Sequence, residues 1–280
     1  MTGGPPPRPD EPGPSGNPRS LPFDTTVAHQ ARMYDYLLGG KDHYAADREA
    51  VEAWLKVDPS LATSCRANRA FLGRAVRFLA GEAGIRQFLD IGTGIPTSGN
   101  THEVAQAIAP ESRVVYVDYD PIVLAHARAL LTSETGGATE YIDADLRDTD
   151  RILAQARTVL DFSRPVAVTL LAILHVISDA DDPHAIVAKV MDALPSGSYL
   201  VVSHAGSDLL DRQTLDSVED IVTQLVHLQP GFRSREEVGR FFAGTDLVEP
   251  GLVRVEQWRP GQPADGRDET ILWCAIGRKQ

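Results

Sequence analysis

An acid and a Gly-x-Gly turn stand together near residue 90. The stretch 86–94 is a short apolar segment that ends in Asp90 and then breaks at Gly92 and Gly94. This pattern predicts a strand followed by a tight turn, where backbone N–H groups and a carboxylate meet. Ligands bind at the carboxyl ends of the strands in an open parallel sheet, so the turn is a candidate binding site.

Two classes of ligand use such a turn, and the residues around it distinguish them. A dinucleotide site needs a third glycine where this chain has Thr97, and its pyrophosphate would be repelled by Asp90. A carboxylate at that position attracts an ammonium or sulfonium group instead. The turn therefore favours a cationic nucleoside such as S-adenosylmethionine over NAD. The same motif also occurs as a tight connection that binds no ligand.

Further acids follow apolar segments later in the chain. Asp118 ends the segment 113–118, and Asp143 and Asp145 end the segment 140–145. In a doubly wound sheet these acids and Asp90 would line the same edge. The alternative is that the acids only cap the helices that follow.

Each of these acids could hold a different part of a nucleoside. Asp118 offers two acceptor oxygens for ribose hydroxyls, and Tyr119 could lie against the adenine ring. Asp145 suits the adenine amino group better than Asp143, because Leu146 beyond it can pack on the base.

Composition narrows the class of protein. The chain has 280 residues, a net charge of −12 and a pI near 5.1. This acidity argues against a protein surface that binds nucleic acid or an anionic membrane. Its two cysteines, Cys65 and Cys274, lie far apart and no apolar segment begins the chain, which is typical of a cytoplasmic protein with free thiols. No apolar run approaches the roughly 20 residues that span a bilayer.

The chain divides into three parts. Residues 1–22 are rich in Pro and Gly and predict a disordered tail. Residues 23–80 have helical spacing, interrupted by Gly39 and Gly40, and predict an N-terminal helical cap. The polar residues around that break, including Lys41, fit either a lid over a ligand or a solvated helix–turn–helix. Residues 81–280 predict the ligand-binding α/β domain.

The last helix of the cap is predicted over residues 66–79 and carries basic residues at its start. Arg66 lies where a positive charge is unfavourable for the helix dipole. This position indicates an anionic partner, which is either a ligand carboxylate or a neighbouring acid.

Strand and helix patterns alternate after residue 86. The fourth strand, residues 166–174, is nearly all apolar, as a central parallel strand should be. A last pair of strands, 252–257 and 270–276, is consistent with a hairpin. The pattern therefore predicts an α/β fold with a doubly wound, mostly parallel sheet.

Several motifs together resemble a known superfamily, the class I S-adenosylmethionine-dependent methyltransferases. These motifs are Phe88-Leu89-Asp90-Ile91-Gly92-Thr93-Gly94, Val115-Tyr116-Val117-Asp118, Asp143-Ala144-Asp145-Leu146 and Leu170-Leu171-Ala172-Ile173-Leu174-His175. The runs from Tyr34 to Asp42 and from Gly99 to Val104 resemble, more closely, an actinobacterial family of S-adenosyl methyltransferases over about residues 25–278. The resemblance implies a Rossmann-like seven-stranded sheet with a terminal antiparallel strand, a helical cap and no required metal. It implies no particular acceptor.

The resemblance also implies roles for individual residues. Gly92, Thr93 and Gly94 would contact the methionine part of S-adenosylmethionine, and Asp90 its ammonium side. Asp118 would hold the ribose, and Asp145 with Leu146 the adenine. The remaining expected cofactor contacts are Tyr119, Asn100, Ala172 and Ile173, together with Lys41 and Arg66, which are chosen on chemical grounds as partners of the methionine carboxylate.

Methyl transfer from a sulfonium needs alignment and desolvation more than acid–base chemistry. If the acceptor needs a base, His175 at the end of the fourth strand is the first candidate and His204 the second, although each could be a packing residue. The acidic surface favours a small-molecule acceptor over a nucleic acid. Two other functions stay open: a noncatalytic regulator that binds S-adenosylmethionine or S-adenosylhomocysteine, and a nicotinamide-dependent oxidoreductase.

Overall fold

The structure is a computed structural model that describes residues 24–130, 137–261 and 269–280. The tail predicted at residues 1–22 and most of the loop before the last strand lie outside the described residues. The helices are α1 Gln30–Leu37, α2 Ala45–Val57, α3 Leu61–Arg77, α4 Thr101–Ile108, α5 Pro121–Leu130, α6 Thr149–Ala156, α7 Pro183–Asp192, α8 Arg212–Ile221 and α9 Arg235–Arg240. The strands are β1 Gln87–Ile91, β2 Arg113–Asp118, β3 Ala138–Asp143, β4 Ala167–Leu171, β5 Tyr199–Ala205, β6 Thr245–Leu247, β7 Val253–Arg254 and β8 Leu272–Lys279.

One sheet organises the molecule. Its strand order is β3-β2-β1-β4-β5-β8-β6, and β7 pairs with β8 beside that path. Strands β1 to β5 are parallel, while β8 runs antiparallel to β5. The predicted doubly wound, mostly parallel sheet with an antiparallel terminal strand is confirmed. The chain reverses its winding between β1 and β4, so the carboxyl end of β1 is the switch point where ligands bind in such sheets.

The edge of the sheet beyond β8 differs from the prediction. The sheet has eight strands where seven were expected. The segment predicted as strand 252–257 contributes only the two-residue β7, because residues Val255–Gln257 form a single 3-10 turn. The outermost strand is instead β6, which the sequence did not predict because its three residues are half-buried or exposed and show no apolar alternation.

Two apolar layers cover the faces of the sheet. Along β1, Phe88 packs into one layer and Leu89 into the other, and both are fully buried. The Phe88 side contains Phe71 of α3, and the Leu89 side contains Ile152 of α6. The alternation of side chains along a strand therefore builds both layers at once.

Buried acids hold the N-terminal helices in place. The carboxylate of Asp47, which is fully buried, accepts hydrogen bonds from the N–H groups of His29 and Tyr44 and lies 3.2 Å from Nε of Arg32. It thereby ties the start of α1 to the start of α2. The ring Nδ1 of His29 lies 2.8 Å from the carboxylate of Asp120, which joins α1 to the loop after β2.

The predicted break after α1 is confirmed, and a third buried acid shapes it. Asp35 accepts a hydrogen bond of 2.8 Å from the N–H of Asp42 and lies 3.1 Å from Nδ1 of His43. A Cβ on Gly40 would overlap the Asp35 carboxylate, so only glycine fits there.

Cys65 and Cys274 are free and buried, as expected for reduced thiols. Within the described parts of the chain, no helix combines the length and apolar character needed to cross a membrane.

Candidate cofactor site

The Gly-x-Gly turn closes the carboxyl end of β1. Gly92 and Gly94 have φ angles of 77° and 66°, in the region that glycine adopts at least cost. A Cβ on Gly92 would lie 2.6 Å from Cγ1 of Ile173, so β1 approaches the end of β4 too closely for any side chain. At Gly94, no atom of the described residues lies within 4 Å of the corresponding position, and Gly94 lines a large pocket. The turn therefore offers bare backbone to that pocket.

Asp118 connects the end of β2 to this turn. Its Oδ2 accepts from the N–H of Gly94 at 2.9 Å, and its Oδ1 accepts from the N–H groups of Tyr119 and Asp120 at 2.8 and 3.0 Å. Burial raises the pKa of Asp118, and the N–H donors oppose that effect. A carboxylate has about four acceptor positions, so these three donors leave roughly one for a ligand.

Asp90 lines the same pocket, and no cation from the described residues contacts it directly. Its two oxygens accept from the hydroxyls of Thr169 and Thr101, at 2.7 and 2.6 Å. Burial raises the pKa of Asp90, although both hydroxyls lower it. A buried carboxylate held by neutral donors is a favourable neighbour for a ligand cation.

The third acidic position is Asp145 rather than Asp143. Asp143 is exposed and is not part of the pocket wall, whereas Asp145 and Leu146 line it. Both Asp145 oxygens are paired with the guanidinium of Arg147 at 2.9 Å. Burial raises the pKa of Asp145, but the hydrogen bonds from Arg147 lower it by more, so the pKa of Asp145 lies below its usual value. Arg147 also lines the pocket, and sequence reasoning missed it.

Three residues expected to contact the ligand lie away from the pocket wall. Lys41 and Arg66 are exposed, and Arg66 donates to the hydroxyl of Thr63 at 3.2 Å. Asn100 is the N-cap residue of α4 and accepts from the N–H of Thr97 at 3.2 Å. Asn100 therefore shapes the loop after the glycine turn instead of facing the pocket.

Arg69, rather than Arg66, brings a guanidinium to the pocket wall. Helix α3 begins at Leu61, five residues before the predicted start, so Arg66 lies within the helix and faces solvent. Arg69 lines the pocket and donates from Nη2 to the carbonyl oxygens of Thr97 and Ser98, at 3.2 and 3.1 Å. The same nitrogen donates to Oδ1 of Asn100 at 2.9 Å.

The end of β4 forms the floor of the pocket. Ala172 has a φ of 53°, and its N–H donates to the carbonyl of Ser203 at 3.0 Å. This bend brings Ala172, Ile173 and His175 to the pocket wall together.

His175 lies in that wall in a defined protonation state. Its Nδ1 accepts from the N–H of Ala205 at 3.4 Å, which places the ring proton on Nε2. Burial and then the charge of Arg233 lower the pKa of His175 to about 4, so the ring is neutral near pH 7. In this state His175 offers the pocket a donor rather than a base.

His204, the second candidate base, is locked away from the pocket. It is fully buried, and its Nε2 lies 3.0 Å from Nη1 of Arg233, which can only donate. Its Nδ1 therefore carries the proton and donates to the carbonyl of Ala205 at 2.8 Å. Both ring nitrogens are occupied, so His204 is a packing residue.

The same pocket continues under the N-terminal helices into a mostly apolar space, which we call the apolar chamber. Its apolar wall includes Trp54, Leu61, Leu72, Val222, Val226 and Phe232. Tyr34 and Asn68 are polar residues that also line this pocket. The pocket thus joins an acidic strand edge to an apolar space.

Comparison with known proteins gives matches over nearly the whole chain. A family model described as S-adenosyl methyltransferase matches residues 17–280. The crystal structure of a DUF574 family protein from Streptomyces avermitilis is 47% identical and has a TM-score of 0.88, covering 92% of this chain and 99% of that one. A candidate methyltransferase from Thermobifida fusca is 42% identical with a TM-score of 0.85, covering 95% and 99%.

A more distant structure is similar in fold alone. The S-adenosylmethionine-dependent methyltransferase from Anabaena variabilis is 15% identical, with a TM-score of 0.50 over 74% of this chain and 84% of that one. Among curated proteins, no relative matches the chain.

Proposed function

The chain belongs to the S-adenosyl methyltransferase family, and from that premise we propose that it transfers the methyl group of S-adenosylmethionine to a small, largely apolar acceptor. The observation that carries this proposal is the continuity of the pocket. Its strand edge suits a cationic nucleoside, and the adjoining apolar chamber suits an acceptor of low polarity.

The residues at the strand edge fit the cofactor. The open side of Gly94 leaves room for close approach of a ligand to the backbone. Asp90 has two hydroxyl donors but no ion-pair partner among the described residues, so a ligand cation would stabilise its charge. When bound, S-adenosylmethionine supplies a methyl group on a sulfonium that is already a good leaving group.

We assign the parts of the cofactor by the same chemistry. Asp118 holds one ribose hydroxyl with its remaining acceptor position, and Leu146 and Tyr119 pack beside the adenine. Arg69 binds the methionine carboxylate in place of Arg66. Asp90 faces the ammonium side, as the sequence suggested.

The chamber residues supply alignment and exclusion of water. Apolar walls desolvate the acceptor's nucleophilic atom and hold it in line with the methyl group, which supplies most of the catalysis for such a displacement. His175 donates from Nε2, so we assign it to orienting the acceptor. A base role would require the other tautomer and the loss of its hydrogen bond from Ala205.

Isotope transfer tests the proposal. Purified protein is incubated with methyl-labelled S-adenosylmethionine and panels of apolar phenols and amines, peptides and oligonucleotides, and products are identified by mass spectrometry. We expect label only in members of the small-molecule panel, and markedly less label with Asp118→Ala. Label confined to peptides or oligonucleotides would contradict the acceptor class. Tight cofactor binding without transfer to any panel would favour a regulator that binds the cofactor without turnover.

A further inference from the structure

A pair of polar side chains interrupts the wall of the apolar chamber. Tyr34 of α1 and Asn68 of α3 both line the pocket, and Asn68 is only 4% exposed. The Tyr34 hydroxyl lies 3.0 Å from the carbonyl oxygen of Cys65 and 3.1 Å from Nδ2 of Asn68.

The hydrogen bonds fix the orientation of the Asn68 amide. A carbonyl can only accept, so the single hydroxyl proton of Tyr34 is donated to Cys65. Burial raises the pKa of Tyr34, which keeps that proton in place. The Tyr34 oxygen can then only accept from Asn68, so Nδ2 faces Tyr34 and Oδ1 points the other way.

The Oδ1 atom of Asn68 is left without a partner among the residues that the structure describes. It is buried and has no hydrogen bond from any residue in the described parts of the chain. An unpaired buried acceptor destabilises the fold, and because Asn68 lines the pocket, a ligand bound there could supply the missing donor. The missing group is a hydrogen-bond donor.

We propose that Asn68 Oδ1 is the recognition point for the acceptor substrate, which is an uncharged, mainly apolar molecule that presents an O–H or N–H group there. This inference rests on the proposed function and deepens it. The chamber wall around the pair is apolar, which favours a neutral body. The alternative donor is the cofactor ammonium, which Asp90 already attracts.

Two probes of nearly equal shape test the proposal without a variant. We would saturate the protein with S-adenosylhomocysteine and measure the affinities of 2-naphthol and 2-methylnaphthalene by ligand-observed NMR. The hydroxyl can donate to Asn68, whereas the methyl group cannot. We expect naphthol to bind about tenfold more tightly, the equivalent of one hydrogen bond of about 1.4 kcal/mol. Equal affinities, tighter binding of methylnaphthalene, or binding of neither probe would overturn the proposal.

A variant with the same branched side-chain shape identifies the responsible atom. Asn68→Leu removes the acceptor but leaves the Tyr34 to Cys65 hydrogen bond, and thermal unfolding checks its fold. We expect the preference to reverse in favour of methylnaphthalene, with S-adenosylhomocysteine affinity unchanged within about twofold. Loss of S-adenosylhomocysteine binding with an unchanged probe preference would place Asn68 in the cofactor site and refute the proposal.

Tyr34→Phe is the second variant, since it frees the amide to rotate. We expect the naphthol preference to fall without loss of cofactor binding, and a preference equal to that of the wild type would contradict the fixed orientation of the amide. If the proposed function itself is wrong, the wild-type protein will bind no adenosyl compound. That outcome is distinct from every result that would refute the role of Asn68.

Discussion

Alanine at the two glycines of the β1 turn should have different main consequences. Gly92→Ala should destabilise the fold more, whereas Gly94→Ala should mainly weaken cofactor binding. Gly84→Ala is the matched control, because Gly84 also has a left-handed φ, 71°, and an added Cβ there would meet no atom within 4 Å in the described parts of the chain.

The magnitudes follow from the geometry. A left-handed φ costs an L-residue about 1–2 kcal/mol, of which the less flexible unfolded chain offsets about 0.4–1 kcal/mol. Gly84→Ala and Gly94→Ala should therefore each lower the free energy of unfolding by about 1 kcal/mol. At Gly92 the added Cβ would also lie 2.6 and 2.8 Å from Cγ1 and Cβ of Ile173. Such overpacking adds about 1–3 kcal/mol, for a total of about 2–4 kcal/mol.

The assays are urea denaturation and calorimetric titration with S-adenosylhomocysteine. The methyl group of Gly94→Ala would project into the pocket. The affinity of this variant for S-adenosylhomocysteine should therefore fall at least about tenfold, roughly 1.4 kcal/mol. Gly84→Ala should bind like the wild type. The reasoning fails if Gly92→Ala is no less stable than Gly84→Ala, or if Gly94→Ala retains wild-type affinity.

Three further outcomes are expected. Arg69→Gln should weaken S-adenosylmethionine binding roughly tenfold or more, as loss of a charged hydrogen bond does, while Arg66→Gln should change the calorimetric affinity less than about twofold. Thr169→Val removes a donor from Asp90 and raises the pKa of Asp90 further, so S-adenosylmethionine affinity should fall more steeply in the variant than in the wild type as the pH is lowered. The fold keeps His175 neutral down to a pKa of about 4, whereas the unfolded chain protonates it below about 6.5. The protein therefore loses stability as the pH falls from about 6.5 to about 4. Over this range the urea midpoint of His175→Phe should fall less steeply than that of the wild type.

The strand-end acids could be anticipated because their positions depend on local sequence. The side chains of β1 alternate between the two apolar layers, and the strand ends at a glycine. These two local features determine where Asp90 lies. Asp118 and Asp145 follow from the parallel order of β1, β2 and β3, and the structure brings all three to one pocket. The edge strand β6 was missed, since a three-residue strand has too few residues to show a period.

The residues of α3 could not be assigned from sequence alone. One residue turns a helix by about 100°, so an error in its start or rotation exchanges the pocket face for the solvent face. The sequence does carry a partial signal for the true start, because Asp58 and Ser60, residue types that favour helix N-termini, stand just before Leu61. The roles of Asn68 and Arg69 depend on the packing of α3 against α1 and the glycine loop, which no local pattern encodes.

The most direct test of the central claim is a calorimetric titration of the protein with S-adenosylmethionine, S-adenosylhomocysteine and NAD, repeated on Asp118→Ala. We expect both adenosyl compounds to bind and NAD not to bind. In the variant their affinities should fall by roughly tenfold or more, because a charged acceptor for the ribose is lost. A folded wild-type protein that binds neither adenosyl compound, or that binds NAD as tightly, would contradict the assignment of this strand edge to S-adenosylmethionine.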